Sequence, residues 1–190
     1  MSAYANKTVA VIGTGYVGLP MCLMLARAGW KVVGVDINPA VVQGIMEGRL
    51  HIREPVLQEL FDTPVVRKNF TAQTTPPQAD IFVVAVPTPL THGATTADLT
   101  LVAKATESIV PVLRKGNLVV LESTVSPRCC RDVMTPILEK SGLKVHEDFY
   151  ISHCPERILP GTGMLDEIEN NDRIVGAANK TAQDLSVELY

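Results

Sequence analysis

A glycine-rich segment near the start of the chain has the spacing of a dinucleotide-binding turn. The residues Gly13-Thr-Gly15-Tyr-Val-Gly18 fit the pattern G-x-G-x-x-G, with a β-branched run before them and an apolar helical pattern after them. In such a turn the first glycine makes the bend, the second admits a pyrophosphate to the backbone, and the third lets the helix pack on the strand. The free N–H groups at the helix start would then face the phosphates. The segment therefore predicts a dinucleotide site.

Asp36 indicates which dinucleotide the site would bind. It lies eighteen residues after Gly18, at the end of the next apolar run, where a carboxylate can accept hydrogen bonds from the ribose hydroxyls. The same charge would repel the 2′-phosphate of NADP, and the next residues, Ile37 and Asn38, supply no arginine to bind that phosphate. We therefore predict NAD. The alternative is a structural turn with a surface aspartate, but strand, glycines, helix, strand and acid stand in the order that a cofactor site requires.

Hydroxyl side chains follow two further runs that are predicted to be strands. Thr88 follows the run Asp80–Val86, and Ser123 and Thr124 follow the run Asn117–Leu121. Ligands of open α/β sheets bind outside the carboxyl ends of the strands, so these residues are candidates for cofactor contacts. Capping of strand ends and turns explains them equally well from the residues alone.

Strand and helix patterns alternate along the chain. This alternation predicts an α/β fold with a doubly wound, Rossmann-type, mostly parallel sheet and helices on both faces, because right-handed crossovers place helices on either side. The predicted strands are Thr8–Ile12, Lys31–Val35, Phe70–Ala72, Asp80–Val86, Asn117–Leu121, Phe149–Ser152 and Arg173–Val175. The predicted helices are Tyr16–Ala28, Pro39–Gly48, Pro55–Phe61, Ala97–Leu113, Arg128–Lys140 and Lys180–Tyr190.

Composition argues against several classes of function. The net charge of −3 and the pI near 5.8 give no electrostatic basis for binding nucleic acid or an anionic membrane. The segment of the first seven residues is short and polar, unlike a signal peptide. The apolar runs are shorter than the ~20 residues that span a bilayer. The four cysteines form no CxxC pair and no metal-ligand spacing, so we expect reduced thiols in a cytoplasmic protein without a metal site.

Five ordered segments carry a more specific resemblance. They are VAVIGTGYVGLP at Val9–Pro20, VDIN at Val35–Asn38, VAVPTP at Val84–Pro89, LESTV at Leu121–Val125 and CPERILPG at Cys154–Gly161. Together they resemble the N-terminal, NAD-binding domain of the UDP-glucose/GDP-mannose dehydrogenase family. The resemblance implies a Rossmann-type domain over residues 1–178. It also implies that residues 179–190 begin the central helix, which joins two domains and contributes to a homodimer or larger oligomer. The C-terminal domain, with the catalytic cysteine and lysine, is not expected in this chain.

Within the family, three segments are most similar to the UDP-N-acetyl-D-mannosamine enzymes: His51–Pro55, Pro155–Gly161 and Asn171–Arg173. The resemblance implies oxidation of a UDP-sugar at C6 to the uronic acid by two NAD through a thioester, in polysaccharide biosynthesis, with the chain inactive by itself. A UDP-glucose or UDP-N-acetylglucosamine dehydrogenase is an alternative. A non-catalytic NAD-binding regulatory module is an alternative of another class.

The resemblance assigns roles to residues within the matched segments. Tyr16 and Val17 would line the pyrophosphate turn, and Thr88, Ser123 and Thr124 would lie along the cofactor toward the nicotinamide. Thr124 would also be catalytic.

Glu156 matches the family's catalytic glutamate, which acts on water beside the reacting carbon, although a solvated loop glutamate is the alternative. Arg157 and Ile158 match positions that contact the nucleotide sugar. Cys154 is expected to be a partly buried thiol and not the nucleophile. Arg128 stands where relatives carry a glycine.

Overall fold

The computed structural model describes residues 7–91, 95–157 and 164–190. Within these residues one sheet of seven strands has the order β3-β2-β1-β4-β5-β6-β7. The first six strands are parallel, and β7 runs antiparallel to β6. The strands are β1 Thr8–Ile12, β2 Lys31–Val35, β3 Phe70–Gln73, β4 Ile81–Val84, β5 Leu118–Leu121, β6 Tyr150–His153 and β7 Gly176–Ala177. The predicted Rossmann-type fold is confirmed.

Helices connect the strands and cover the sheet. They are α1 Gly18–Ala28, α2 Pro39–Met46, α3 Pro55–Phe61, α4 Pro64–Asn69, α5 Thr100–Ile109, α6 Thr135–Leu138, α7 Met164–Asn170 and α8 Lys180–Leu189. Short 3₁₀ turns lie at Val110–Val112 and Glu139–Ser141, and a π-helical turn lies at Cys130–Met134. Proline occupies the first turn of α2, α3 and α4, where its missing N–H has no helical partner to lose.

Alternate residues of the central strands enter two separate cores. Val9 and Val11 of β1 pack into one cluster with Trp30 and Phe61, beneath α1, α3 and α4. The intervening residues of β1 pack on the opposite face, in a cluster with Phe82 and Val102 beneath α5 and α6. A strand that is buried on both faces is apolar throughout, which is why the runs read as continuous in the sequence.

Several predicted boundaries were wrong. The predicted strand Arg173–Val175 is not a strand, and pairing begins instead at Gly176. The predicted helix from Ala97 begins only at Thr100, and just before it the Asp98 side chain accepts a hydrogen bond from the Thr100 N–H at 2.8 Å.

The predicted helix Arg128–Lys140 is broken into π, α and 3₁₀ turns. Pro136 lies at the start of α6, where it lacks the N–H that would continue a regular helix from the preceding residues. The first predicted helix begins at Gly18 and not at Tyr16. Helix α4 was not among the predicted helices.

Across the described ranges, no helix is both long and apolar enough to cross a membrane. In the same ranges, no group of three or more His, Cys, Asp or Glu side chains could hold a metal ion.

Candidate functional site

The glycine turn between β1 and α1 is closely packed at two positions and open at the third. Gly13 has a positive φ of 97°, and a Cβ built there would lie 2.6 Å from the Ala85 carbonyl oxygen. A Cβ at Gly18 would lie 1.8 Å from the Gly13 carbonyl oxygen. At Gly15, by contrast, a Cβ would meet no atom of the described residues within 4 Å. Gly13 and Gly18 therefore permit the turn itself, and Gly15 leaves free space above it.

The Asp36 carboxylate is held beside this turn by hydrogen bonds. Its Oδ2 accepts from the Thr14 hydroxyl at 2.7 Å and from the Thr14 N–H at 3.3 Å. Its Oδ1 accepts from the Asn38 N–H at 2.9 Å. Thr14 is fully buried. A Cβ built on Gly34 would lie 2.9 Å from the Thr14 methyl group, so the Thr14 side chain fills the space above Gly34. Thr14 was not among the predicted site residues, although a polar side chain inside the glycine motif was a signal for it.

A cleft of about 420 Å³ opens next to the turn and Asp36. This volume lies in the range of small-molecule sites. Its walls come from the ends of β1, β2 and β4, from the segment after β3 and from α5. Lining residues that the sequence analysis did not name include Thr74, Thr75, Lys104 and Ser108. Tyr16 is exposed and Val17 is half-buried, outside the walls of this cleft.

The three hydroxyl residues after β4 and β5 lie together at the carboxyl edge of the sheet. The Thr88 hydroxyl donates to the Thr124 carbonyl at 2.7 Å, and the Ser123 hydroxyl donates to the Val86 carbonyl at 2.7 Å. The Thr124 side chain is exposed. Two of the three hydroxyls thus tie the loop after β4 to the loop after β5, and Thr124 is presented at the surface of this junction.

Glu156 lies at the same edge, after β6, and its environment is buried. The Glu156 N–H donates to the Glu122 carbonyl at 3.2 Å, and only 7% of the Glu156 side chain is exposed. Its Oε2 lies 3.5 Å from Nη1 of Arg173, and its Oε1 accepts from the Arg157 N–H at 2.6 Å. The alternative of a solvated loop glutamate does not fit this burial.

A second carboxylate, Glu122, shares the same arginine. Its side chain is fully buried, its Oε1 lies 3.6 Å from Arg173 Nη1, and the Tyr190 hydroxyl donates to it at 2.7 Å. The Arg173 guanidinium lies 4.6 Å from the centre of the Tyr190 ring. Desolvation by burial raises the pKa of Glu122 from 4.5 to about 7, although Tyr190 and Arg173 lower it. The sequence analysis did not name Glu122 as a site residue.

The remaining residues singled out in the sequence are two candidates for sugar contacts, a cysteine beside Glu156 and Arg128. Arg157 is exposed, and its Nη1 donates to the Asp172 carbonyl at 3.2 Å. Ile158 lies outside the described residues. Cys154 is fully buried, not partly buried as expected, and desolvation raises the pKa of its thiol, which disfavours the nucleophilic thiolate. Arg128 has a positive φ of 75°, a conformation that glycine adopts without strain.

Comparison with known proteins agrees with this geometry. Residues 7–190 match the model of the UDP-glucose/GDP-mannose dehydrogenase family, NAD binding domain. The chain belongs to this family. The matched part is the family's NAD-binding domain, so the cofactor of this domain is NAD.

Three relatives show the range of similarity within the UDP-glucose/GDP-mannose dehydrogenase family. The chain is 42% identical to a UDP-N-acetyl-D-mannosamine dehydrogenase of Methanococcus maripaludis, over 98% of this chain and 42% of that protein. It is 38% identical to the UDP-N-acetyl-mannosamine dehydrogenase of Staphylococcus aureus, with a TM-score of 0.90 over 97% of this chain and 45% of the other. It is 26% identical to the GDP-mannose dehydrogenase of Pseudomonas aeruginosa, with a TM-score of 0.86 over 96% of this chain and 43% of the other. The chain thus spans less than half the length of these relatives.

Proposed function

We propose that this chain is the cofactor domain of a UDP-N-acetyl-D-mannosamine 6-dehydrogenase, which oxidises the sugar C6 alcohol to the carboxylate with two NAD. The observation that carries the proposal is that one sheet edge holds both a dinucleotide cleft and a buried carboxylate, Glu156, paired with Arg173. A dehydrogenase that also hydrolyses a thioester needs both features, a site for the oxidant and a carboxylate that acts on water.

The residues of the cleft fit the adenosine and pyrophosphate parts of NAD. Asp36 would accept hydrogen bonds from the ribose hydroxyls, and its bond from Thr14 holds the carboxylate in place before the cofactor arrives. Gly15 leaves room for phosphate oxygens to reach the backbone at the start of α1, whose partial positive charge favours anions. Tyr16, Val17, Gly13 and Gly18 complete this turn. When bound, NAD supplies the oxidising power of the reaction.

The other end of the site would hold the nicotinamide and the sugar. Thr88 and Ser123 fix the junction between the two loops, and the exposed Thr124 hydroxyl is available to the cofactor or the reacting centre. Glu156 would position and activate water for hydrolysis of the thioester. Its Oε1 accepts from the Arg157 N–H and its Oε2 faces Arg173, so the carboxylate would have a defined orientation.

The choice of sugar is supported by the relatives and by one side chain. Identity is 42% and 38% to proteins that act on UDP-N-acetylmannosamine and 26% to one that acts on GDP-mannose. The exposed Arg157 could bind a diphosphate or an acetamido carbonyl, and Ile158 would lie beside it in the sequence. UDP-glucose and UDP-N-acetylglucosamine are the alternative substrates. A non-catalytic NAD-binding regulatory module is the alternative of another class, and the buried Glu156 carboxylate favours the enzyme over it.

We further propose a homodimer or larger oligomer for the intact enzyme, with residues 179–190 beginning the inter-domain helix after a domain of residues 1–178. The four cysteines are free thiols, which is the state expected in the cytoplasm.

Calorimetric titration of the chain with NAD and with NADP tests the cofactor part of the proposal. We expect NAD to bind and NADP to bind much more weakly. Asp36→Asn keeps an acceptor for Thr14 but removes the charge, so it should weaken NAD binding about ten- to a hundredfold, the value of one hydrogen bond to a charged group. The control is Asp184→Asn, which removes a surface charge paired with Lys180 on α8.

Two results would contradict this assignment. The first is equal affinity for NAD and NADP, and the second is an Asp36→Asn variant that binds NAD as well as the Asp184→Asn control. We expect no turnover in the isolated chain, so the choice of sugar is tested in an enzyme that joins this domain to a catalytic domain of the family. NADH formation is then measured with UDP-N-acetylmannosamine, UDP-N-acetylglucosamine and UDP-glucose.

A further inference from the structure

Glu122 is a buried carboxylate to which the proposed reaction assigns no role. It follows β5 directly, its side chain is fully buried, and its Oε1 accepts the Tyr190 hydroxyl at 2.7 Å. Among the residues that the structure describes, its Oε2 has no hydrogen-bond partner. A carboxylate that is only half satisfied in a dry interior is unstable as an anion, so the site favours the neutral carboxylic acid.

One guanidinium nitrogen serves both carboxylates. Arg173 Nη1 lies 3.6 Å from Glu122 Oε1 and 3.5 Å from Glu156 Oε2, and only 16% of the Arg173 side chain is exposed. Each contact is within the range of an ion pair but longer than a good charge-assisted hydrogen bond. Arg173 therefore stands between two competing partners and is committed to neither.

We propose that Glu122 is a positioning residue for Glu156 and that it acts through Arg173. When Glu122 is neutral, the guanidinium pairs with Glu156 and fixes its carboxylate. When Glu122 is ionised, it draws the guanidinium toward itself, and the hold on Glu156 loosens. The proposal deepens the proposed function, since it depends on Glu156 being the carboxylate that acts on water.

The charged and titratable groups around Glu122 come from each element packed against it. Arg173 precedes β7, Tyr190 follows α8, Glu156 and Cys154 follow β6, and Cys22 lies on α1. Arg173 is the cation of this set. Because burial raises the pKa of Glu122 to about 7, Glu122 changes between its neutral and ionised forms near neutral pH. Its attraction for Arg173 therefore changes in the same pH range.

Carbon-13 NMR of the chain labelled at the glutamate carboxyl carbons tests the coupling directly. We expect the Glu156 carboxyl resonance to show an inflection near pH 7, where Glu122 ionises. The inflection should be lost in Glu122→Gln, which keeps the shape and an acceptor for Tyr190. As a control, the resonance of Glu59, exposed on α3, should be unchanged by the substitution.

A second variant keeps the test decisive if Glu122→Gln does not fold. The Tyr190 hydrogen bond lowers the pKa of Glu122, so Tyr190→Phe should move the inflection at Glu156 to higher pH while the ring remains under Arg173. The proposal is overturned if Glu156 shows no inflection near neutral pH, if the inflection survives Glu122→Gln, or if Tyr190→Phe leaves it unmoved. Titration of the same samples with NAD separates the proposed cofactor site from the proposed coupling of Glu122 to Glu156. If NAD does not bind but the inflection at Glu156 behaves as expected, only the cofactor role is refuted.

Discussion

Replacement of Gly15 by alanine separates cofactor binding from folding. A Cβ at this position meets no atom of the described residues within 4 Å, and the backbone φ is not positive, so the variant can adopt the native turn. At Gly18 the same change would place a Cβ 1.8 Å from the Gly13 carbonyl oxygen and force the turn apart. The two glycines of one motif should therefore respond to alanine in opposite ways.

The expected magnitudes follow from this geometry. Gly15→Ala should leave the free energy of unfolding unchanged or raise it by up to about 1 kcal/mol, because alanine restricts the unfolded chain. The added methyl group would occupy the space that the pyrophosphate needs. Loss of one hydrogen bond to a charged phosphate oxygen is worth roughly 1.5–3 kcal/mol, so the Kd for NAD should rise about ten- to a hundredfold. Gly18→Ala should instead lose several kcal/mol of stability.

Urea unfolding and calorimetric titration with NAD measure the two effects on the same samples. The control is Gly176→Ala in β7, where a Cβ would make an ordinary 3.6 Å contact with the His153 carbonyl oxygen and lies away from the cleft. A folded Gly15→Ala protein that binds NAD as tightly as this control would refute the assignment of Gly15 to the pyrophosphate. Unfolding of Gly15→Ala at lower urea would refute the claim that its surroundings are open.

Three further predictions concern the buried carboxylate, the strained turn and the threonine beneath Asp36. Because the pKa of folded Glu122, about 7, lies above its unfolded value of 4.5, the folded chain holds more protons between these values. The free energy of unfolding should thus fall as pH rises from 4.5 to 7, by at most about 3 kcal/mol, and Glu122→Gln should flatten this decline in urea titrations. Arg128→Gly should be about 1 kcal/mol more stable than Arg128→Ala, because both variants lose the Asp132 ion pair and only glycine is unstrained at a φ of 75°. Equal urea-unfolding midpoints for the two variants would argue against backbone strain at this position. Thr14→Val should lose about 1 kcal/mol of stability and bind NAD several-fold more weakly, whereas Thr14→Ser keeps the bond to Asp36, a difference that calorimetry would detect.

In the half of the molecule that carries the glycine turn, the strands and the turn were predictable because their signals are local. Each strand of a parallel sheet that is covered on both faces must be apolar throughout, as in IFVV of β4, so strands appear as continuous runs. The turn after β1 needs glycine at Gly13 and Gly18 for backbone reasons that no other residue satisfies. Asp36, just after β2, lies within hydrogen-bond distance of Thr14 in this turn.

The carboxylate half was less predictable because its contacts are distant in the sequence. Nothing in the string LESTV shows that Glu122 is buried, since the burial depends on Tyr190, 68 residues away, and on Arg173. The wrong strand at Arg173–Val175 has the same origin. The β-branched residues there favour a strand, but the Arg173 side chain turns toward the two carboxylates and β7 begins only at Gly176.

The loop junction after β4 and β5 connects the two halves physically. Val86 lines the cofactor cleft, and its carbonyl accepts the Ser123 hydroxyl at 2.7 Å. Ser123 is the chain neighbour of Glu122, whose own carbonyl holds the Glu156 backbone at 3.2 Å. Two hydrogen bonds therefore connect a wall of the cleft to the backbone that carries both carboxylates.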